Sequence, residues 1–471
     1  MKRTDGTGME VKIAYIGGGS HGWAWTFMKD LAMEQELSGV ISLYDIDRKM
    51  AEQNAVIGNR QFEGAGQKSR WRFDVRTSLK DLLESGPDFI LISILPGTFD
   101  VMESDVHLPE TCGIYQSVGD TTGPGGLVRA LRTVPMFAEI AEAIRACCPE
   151  AIVINYTNPM TLCVKTLYHV FPGIKAFGCC HEVFGTQKIL RDLYEMHTGE
   201  TGVGREEVIV NVQGINHFTW FDRASCRGLD LFPIYRKFIE EHFEEGYHDP
   251  DRNWMNGTFN CAHRVKMDLF LRYGAIAAAG DRHLAEFMPG EIYLKDPDQV
   301  RQWKFALTTV PWRKERQEEK RQQALRLALG EEELKPEPTG EEGLLLIKAL
   351  CGLRRMVSNV NIPNASGQIP NLPREAVVET NAVFFKDTIQ PVFAGEAEPS
   401  IAELMMPHIE NHEKILRAAL ETDFSLALEA FFNDPLVKGR LDRETGTGLL
   451  RKMISNTLAY LPEGWEKEIK A

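Results

Sequence analysis

Residues 11 to 22 read Val-Lys-Ile-Ala-Tyr-Ile-Gly-Gly-Gly-Ser-His-Gly, and the order of residue types in that stretch decides the fold. Val11 to Ile16 is a short apolar run without clean alternation, as in a strand buried on both faces. It runs straight into glycines at 17, 19 and 22, which satisfy G-x-G-x-x-G. Glycines there let the backbone turn tightly and approach a pyrophosphate, and the helix that follows aims its N-terminal amides at the anion. The pattern places that helix over 23–35 and a second strand over 40–44, ending at Asp45. A carboxylate at this position meets adenosine ribose hydroxyls, and its charge favours NAD over NADP by repelling the 2′-phosphate. The glycine pattern alone is weak. Strand, glycines, helix, strand and acid in succession make Gly17, Gly18, Gly19, Ser20 and Asp45 a dinucleotide site.

The alternation continues with strands over 71–75, 88–94, 151–155 and 174–178, separated by helical stretches. Strands alternating with helices predict an α/β fold, a Rossmann-like doubly wound parallel sheet of the lactate/malate dehydrogenase kind. Ligands in such sheets sit beyond the carboxyl ends of the strands. Pro96-Gly97, the run Asn155-Tyr156-Thr157-Asn158-Pro159 and Cys179-Cys180-His181 all fall at such ends and are expected to share one crevice. Asn155 would face the cofactor there. Asn158 either orients a sugar or ribose hydroxyl or simply starts a loop, as Asn before Pro commonly does. From about residue 205 the pattern turns mixed. Strands are expected over 208–212, 218–221, 356–362 and 377–385, and helices over 231–243, 259–273, 315–329, 401–432 and 448–461. The expected organisation is a loose leader (1–10), an NAD-binding domain (11–204) and a C-terminal mixed α+β domain for catalysis and oligomerisation (205–471).

Composition narrows the function. The chain has 471 residues, 53 Lys and Arg against 67 Asp and Glu, and a formal charge of −14, with no basic tract, so nucleic acid and anionic membrane are not expected partners. The strongest apolar run, 89–95, is too short to span a bilayer. Met1 to Glu10 has no apolar core and does not read as a signal peptide. Nine cysteines, an odd number with adjacent pairs, read as reduced thiols in a cytoplasmic protein.

Cys180 at a strand end and His217 in a loop after another strand could supply two metal ligands and leave positions open for a substrate. Read locally, a buried apolar Cys and a satisfied His serve as well. Nothing resembling Cys-x-x-Cys occurs, which disfavours a structural zinc site. Asp105 is a hydroxyl-binding acid or a solvated helix charge. Tyr273, Asp281, His283 and Glu286 are candidate acid-base groups, with a structural hydrogen bond the equal alternative for Asp281 and Glu286. Thr121 to Gly126 (TTGPGG) leads into a helix carrying Arg129 and Arg132 and reads as an active-site wall.

Taken together, IAYIGGGS, LYDID, TTGPGG with ALRTVP, NYTNPM, GCCHEV, GINHF, the stretch 280–287 and IPNLPREAVVE resemble glycoside hydrolase family 4, the NAD- and metal-dependent glycosidases, over nearly the whole chain. That resemblance implies redox chemistry within a net hydrolysis. NAD⁺ removes a hydride from C3 of the sugar, a divalent metal, here Mn²⁺ on Cys180 and His217, stabilises the enolate, and a side-chain base takes the C2 proton. Elimination expels the aglycone, water adds back, and the hydride returns. The Cys180-His181-Glu182-Val183 variant is similar to that of the family's α-galacturonidases. Members acting on phosphorylated sugars carry an Arg soon after the fourth strand, which Ser93 to Gly97 lacks, so a phosphorylated substrate is not expected. The resemblance implies Tyr273 as nearest match to the C2 base, His181 as leaving-group assistant, and Asn158, Asn216, Glu182, Arg282 and His283 around the sugar. The uronate carboxylate would take a cation from among Arg264, Arg282 and His283. The family usually forms dimers or tetramers, so a homodimer or homotetramer is expected. An α-glucuronidase or α-galactosidase of the same family, a 2-hydroxy-acid dehydrogenase and a non-catalytic NAD sensor are the competing readings.

Overall fold

Six parallel strands lie side by side in the larger sheet, in the order Trp71–Val75, Leu37–Tyr44, Gly8–Ile16, Phe89–Ile92, Ile152–Asn155 and Lys175–Gly178. The strands in chain order are β1 (Lys2–Thr4), β2 (Gly8–Ile16), β3 (Leu37–Tyr44), β4 (Trp71–Val75), β5 (Phe89–Ile92), β6 (Ile152–Asn155) and β7 (Lys175–Gly178). They are followed by β8 (Val208–Ile215), β9 (Phe218–Cys226), β10 (Leu229–Asp230), β11 (Ile276–Ala277), β12 (Met356–Pro363), β13 (Val377–Phe385) and β14 (Thr388–Pro391). This is a computed structural model, and it describes residues 2–4, 8–62, 70–248 and 259–470. The strand order reverses between β2 and β5, which opens the crevice where such sheets take a dinucleotide.

The absence of alternation in 11–16 has a direct cause. Ile13 and Tyr15 of β2 and Phe89 and Leu91 of β5 pack into one apolar cluster with Met28 and Leu31 of the helix Trp23–Met33. Ala14, Ile16, Ile90 and Ile92 pack on the other side with Ile140 and Ile144 of the helix Gly123–Cys147. Both strand faces are therefore apolar and both are covered, as a parallel sheet requires.

Two expectations are revised. The strand expected to open at Val11 begins at Gly8, and Lys2–Thr4 pairs antiparallel with it, Lys2 opposite Glu10, so part of the expected loose leader is a strand. The continuous helix expected over 401–432 is two, Pro399–Glu421 and Phe424–Asn433. Thr422 takes the left-handed conformation (φ 57) that ends the first, and the Asp423 carboxylate caps the second by accepting the Leu426 amide. The later strands divide between the two sheets. β12, β13 and β14 extend the parallel sheet antiparallel beyond β7, with Asn361 opposite Gly178. A smaller sheet is built on β9, which pairs antiparallel with β8, β10 and β11. Among the described residues no helix is long and apolar enough to cross a membrane.

Candidate active site

The nucleotide end of the crevice is formed by the turn after β2. Gly17 has φ 89, a conformation that a side chain strains, and a Cβ there would collide with the Ser93 carbonyl. The Gly19 amide donates to Asp45 Oδ2 (2.9 Å), which ties the loop to the end of β3. Asn54 holds the other side, donating from Nδ2 to the Gly18 (2.8 Å) and Ser20 (3.1 Å) carbonyls. Gly22 precedes the helix Trp23–Met33 and gives it no side-chain cap, so the first-turn amides are free of side-chain acceptors. A glycine cradle, uncapped helix amides and an acid on the neighbouring strand fit a dinucleotide's pyrophosphate and ribose. Gly17, Gly18, Gly19, Ser20 and Asp45 thus come together.

Beyond it lies a cavity of about 420 Å³ whose wall includes Trp23, Asp120, Tyr156, Asn158, Cys180, His181, Glu182, His217, Arg282, His283 and Arg313. Cys180 follows β7. His217 sits in the two-residue turn between β8 and β9 with φ 65, an uncommon conformation for a residue with a Cβ. Asp120, His217 and His283 each offer a ligand atom within 4.8 Å of the others, and the two imidazole rings stand 3.8 Å apart between centroids. Burial holds His217 down at about 3, with the neighbouring His283 adding to the effect, so His217 is a neutral imidazole with a lone pair to offer. Burial raises the Cys180 thiol well above its ordinary range, and the Glu379 and Glu182 carboxylates add to this. A cation bound there would have to displace that proton.

The orientation of His217 is set by the TTGPGG wall. Thr121 Oγ1 lies 2.8 Å from Asp120 Oδ1 and 2.9 Å from His217 Nδ1. A hydroxyl has one proton. With Asp120 ionised, Thr121 donates to it and accepts from Nδ1–H, which leaves the Nε2 lone pair of His217 as the ligand. Burial alone would raise the Asp120 carboxyl, but the nearby Arg129, His283, His217 and Arg313 outweigh it and keep the group at about 2. Cys180 is not one of that close group but lines the same cavity, and a neutral imidazole of fixed tautomer, a carboxylate and a thiol are donor types suited to a divalent first-row metal.

Glu182 Oε2 accepts the Gly280 amide (3.0 Å), and Oε1 faces His283 Nε2 at 3.6 Å. His283 Nδ1 is buried without a partner among the described residues, and so is Asn158 Oδ1. Orphaned polar atoms at a cavity wall point to a polar ligand, because burying them unpaired is costly. His181 is half-exposed at the rim, its Nδ1 3.1 Å from Glu341 Oε1. Burial opposes its charge, but the Glu341 contact prevails and lifts the imidazole to about 9.

Five expected site residues lie elsewhere or are occupied. Asp105 is fully buried and gives both oxygens to Arg132, at 3.2 and 2.6 Å. It is half of a structural ion pair and does not touch the cavity. Tyr273 ends the helix Arg264–Tyr273 and stands edge-on to Trp220 at 5.8 Å, off the cavity. Asn155 closes its own turn, donating from Nδ2 to the Thr157 carbonyl and accepting the Thr157 amide on Oδ1, both at 3.0 Å. Asn216 lies behind the wall, donating to Glu379 Oε2 (3.2 Å) and towards the Cys180 sulfur. Arg282 is on the wall, but its Nε donates to the Ala306 carbonyl (3.0 Å) and its Nη2 to the Ser117 carbonyl (2.5 Å) and to Thr308.

Sequence reasoning missed three residues. Glu379 of β13 lies beneath Cys180 in a network with Asn216 and Asn359, whose Nδ2 reaches both Glu379 Oε1 (2.6 Å) and the Cys180 carbonyl (3.0 Å). Asp120 precedes the glycine-rich wall, and Arg313 comes from the first turn of the helix Val310–Leu329. Asp120 could have been found by its position beside TTGPGG. Nothing local marks the other two.

A dinucleotide-type sheet whose crevice carries a metal-ready donor cluster beside a polar cavity defines a class of NAD-fold enzymes. Within it the chain belongs to glycosyl hydrolase family 4, matching the family 4 glycosyl hydrolase over residues 12–196 and its C-terminal domain over 212–437. It is a glycoside hydrolase. It is 59% identical to an alpha-galacturonidase from Lachnoclostridium phytofermentans, over 99% of this chain and 100% of that one. A crystal structure of lplD from Bacillus subtilis superposes with a TM-score of 0.90 at 51% identity, covering 94% of this chain and 100% of that one. A 6-phospho-alpha-glucosidase from gut microorganisms, solved in complex with NAD and Mn²⁺, shares the fold with a TM-score of 0.79 at 20% identity, over 97% of this chain and 100% of that one.

Proposed function

We propose that the protein is an α-galacturonidase that releases galacturonate from short α-galacturonides, such as pectin fragments, with NAD⁺ and a divalent metal such as Mn²⁺. The observation that carries this reading is Cys180-His181-Glu182 on the wall of the polar cavity, in a chain 59% identical to an alpha-galacturonidase from end to end.

The turn Gly17 to Ser20, with Asp45, would hold the dinucleotide, and Cys180, His217 and Asp120 the metal. Bound there, NAD⁺ supplies reversible hydride removal at C3 of the sugar, and the metal supplies Lewis acidity at the C2 and C3 oxygens.

The chain's own residues do the rest. Thr121 keeps His217 in the tautomer that presents Nε2. Asn158, with its free carbonyl oxygen, accepts a hydroxyl proton from the sugar or ribose. Tyr273 is too far removed to act on C2. The Glu182–His283 couple takes that part, since its carboxylate is fixed by the Gly280 amide and its imidazole is neutral with an open Nδ1. His181, charged by its contact with Glu341, hands a proton to the departing oxygen at the rim.

The test is turnover of an aryl α-galacturonide in deuterated water with NAD⁺ and Mn²⁺ present. Deuterium at C2 of the released sugar is expected, together with loss of activity on chelation or NAD⁺ removal. Equal rates after exhaustive chelation, or preference for an α-glucuronide or α-galactoside, would remove the assignment.

A further inference from the structure

A uronate differs from the neutral sugar by one carboxylate, so a site that selects it needs a cation with an uncommitted guanidinium or imidazole edge. Arg264 is not that cation: it stacks on Phe243 and Trp303, pairs with Glu244 at 2.8 Å and donates to the Phe243 and Gln302 carbonyls, off the cavity. Arg282 spends Nε and Nη2 on the Ala306 and Ser117 carbonyls and Thr308. Arg129 donates its Nε to the Asn158 carbonyl (3.0 Å). His283 faces Glu182 through Nε2, and the reading above gives its open Nδ1 to the C2 proton.

Arg313 is different. It lines the cavity, and its Nε is buried with no hydrogen-bond partner among the described residues. Its guanidinium carbon stands 5.5 Å from the Phe259 ring centroid, and that of Arg282 stands 4.8 Å from the same ring. The same ring thus stands within cation–π reach of both like charges. The Asp120 carboxylate is close enough to act on its charge but makes no hydrogen bond to the buried Nε, so an arriving carboxylate can take up the unpaired edge with two parallel hydrogen bonds that a lysine cannot reproduce.

We infer that Arg313 is the specificity-determining residue that receives the carboxylate of the substrate. The inference rests on the galacturonide reading above and adds the group that distinguishes an acidic sugar from a neutral one.

The experiment uses the full chain loaded with NAD⁺ and Mn²⁺, as wild type, Arg313→Gln and Arg313→Lys. Calorimetry measures binding of galacturonate and galactose, and steady-state kinetics measure kcat and KM on aryl α-galacturonide and α-galactoside. Arg313→Gln is expected to weaken galacturonate binding by ~30-fold or more, the lower range for removing one member of a buried charge pair. The uronide KM should rise far more than kcat falls, and galactose binding should stay unchanged. Arg313→Lys should recover part of the binding and no more. Equal losses on both sugars, unchanged galacturonate binding, no galacturonate binding by wild type, or a Gln variant that unfolds while the Lys variant binds like wild type would each overturn the inference. A wild type that binds galacturonate through Arg313 yet hydrolyses no galacturonide would overturn the proposed activity alone.

Discussion

Thr121 and His217 meet through a hydroxyl–imidazole hydrogen bond of 2.9 Å across 96 residues of chain. The contact carries no charge of its own, yet it decides which nitrogen of His217 can bind a metal. Thr121→Val keeps the shape and removes the hydroxyl. Mn²⁺ affinity should fall by ~10- to 100-fold, the range for losing a residue that orients a metal ligand, and Thr121→Ser should restore it. Calorimetric Mn²⁺ titration checks this, and unchanged affinity in Thr121→Val would show that His217 needs no such support.

Glu182 is expected to matter through its charge. Glu182→Gln preserves the contact with the Gly280 amide on one side but removes the carboxylate facing His283. Turnover and deuterium incorporation at C2 should fall together by roughly 100-fold or more, the usual scale for losing a general base. If incorporation persists while hydrolysis stops, the acceptor of the C2 proton lies elsewhere.

Asp105 and Arg132 should behave as a structural pair. Their side chains are 1% and 0% exposed, so Asp105→Asn leaves an uncompensated guanidinium and is expected to cost about 3–5 kcal/mol in chemical denaturation. The paired change Asp105→Leu with Arg132→Met should recover much of that. The folded fraction of Asp105→Asn should turn over at the wild-type rate, and a specific loss of kcat would return Asp105 to the chemistry.

Glu286 gives the protein a defined pH response. Burial raises its carboxyl to about 8, outweighing the two amides that it accepts from Val118 (2.7 Å) and Gly119 (2.8 Å). The folded chain therefore holds a proton that the unfolded chain releases near 4.5. The stability that this contributes is complete below about pH 4.5 and is lost as pH rises through about 8. Urea midpoints should drop between about pH 4.5 and 8 and level off above. Glu286→Gln, which imitates the protonated group, should show a smaller drop, and an identical drop would assign the response to another residue.

The dinucleotide half was legible because its signals are local. Val11 to Gly22 states a buried strand, a tight turn and a helix start within twelve consecutive residues, and Asp45 follows at the spacing that the fold imposes. Cys180, His181, Glu182, His217 and His283 were legible through the resemblance and do share one cavity. Asp105 was misread because its partner Arg132 lies 27 residues on, and one acid on a helix looks like another until the partner is seen. Tyr273 reads as the nearest match to the family's tyrosine base, and it packs against Trp220 instead of lining the cavity. Glu379 and Arg313 are brought in by pairing and packing between distant segments, and no local pattern reports that.

The attachment of β12 and β13 to β7 reaches beyond architecture. Asn359 and Glu379, which support Cys180 from below, arrive on strands contributed some 180 residues later than the sulfur they support. A fragment ending at residue 204 would leave β7 as a raw sheet margin and the thiol without a floor. Engineers seeking new sugar selectivity must accordingly graft loops around the rim, because exchanging the second half wholesale would dismantle the very anchor on which the new specificity was meant to act.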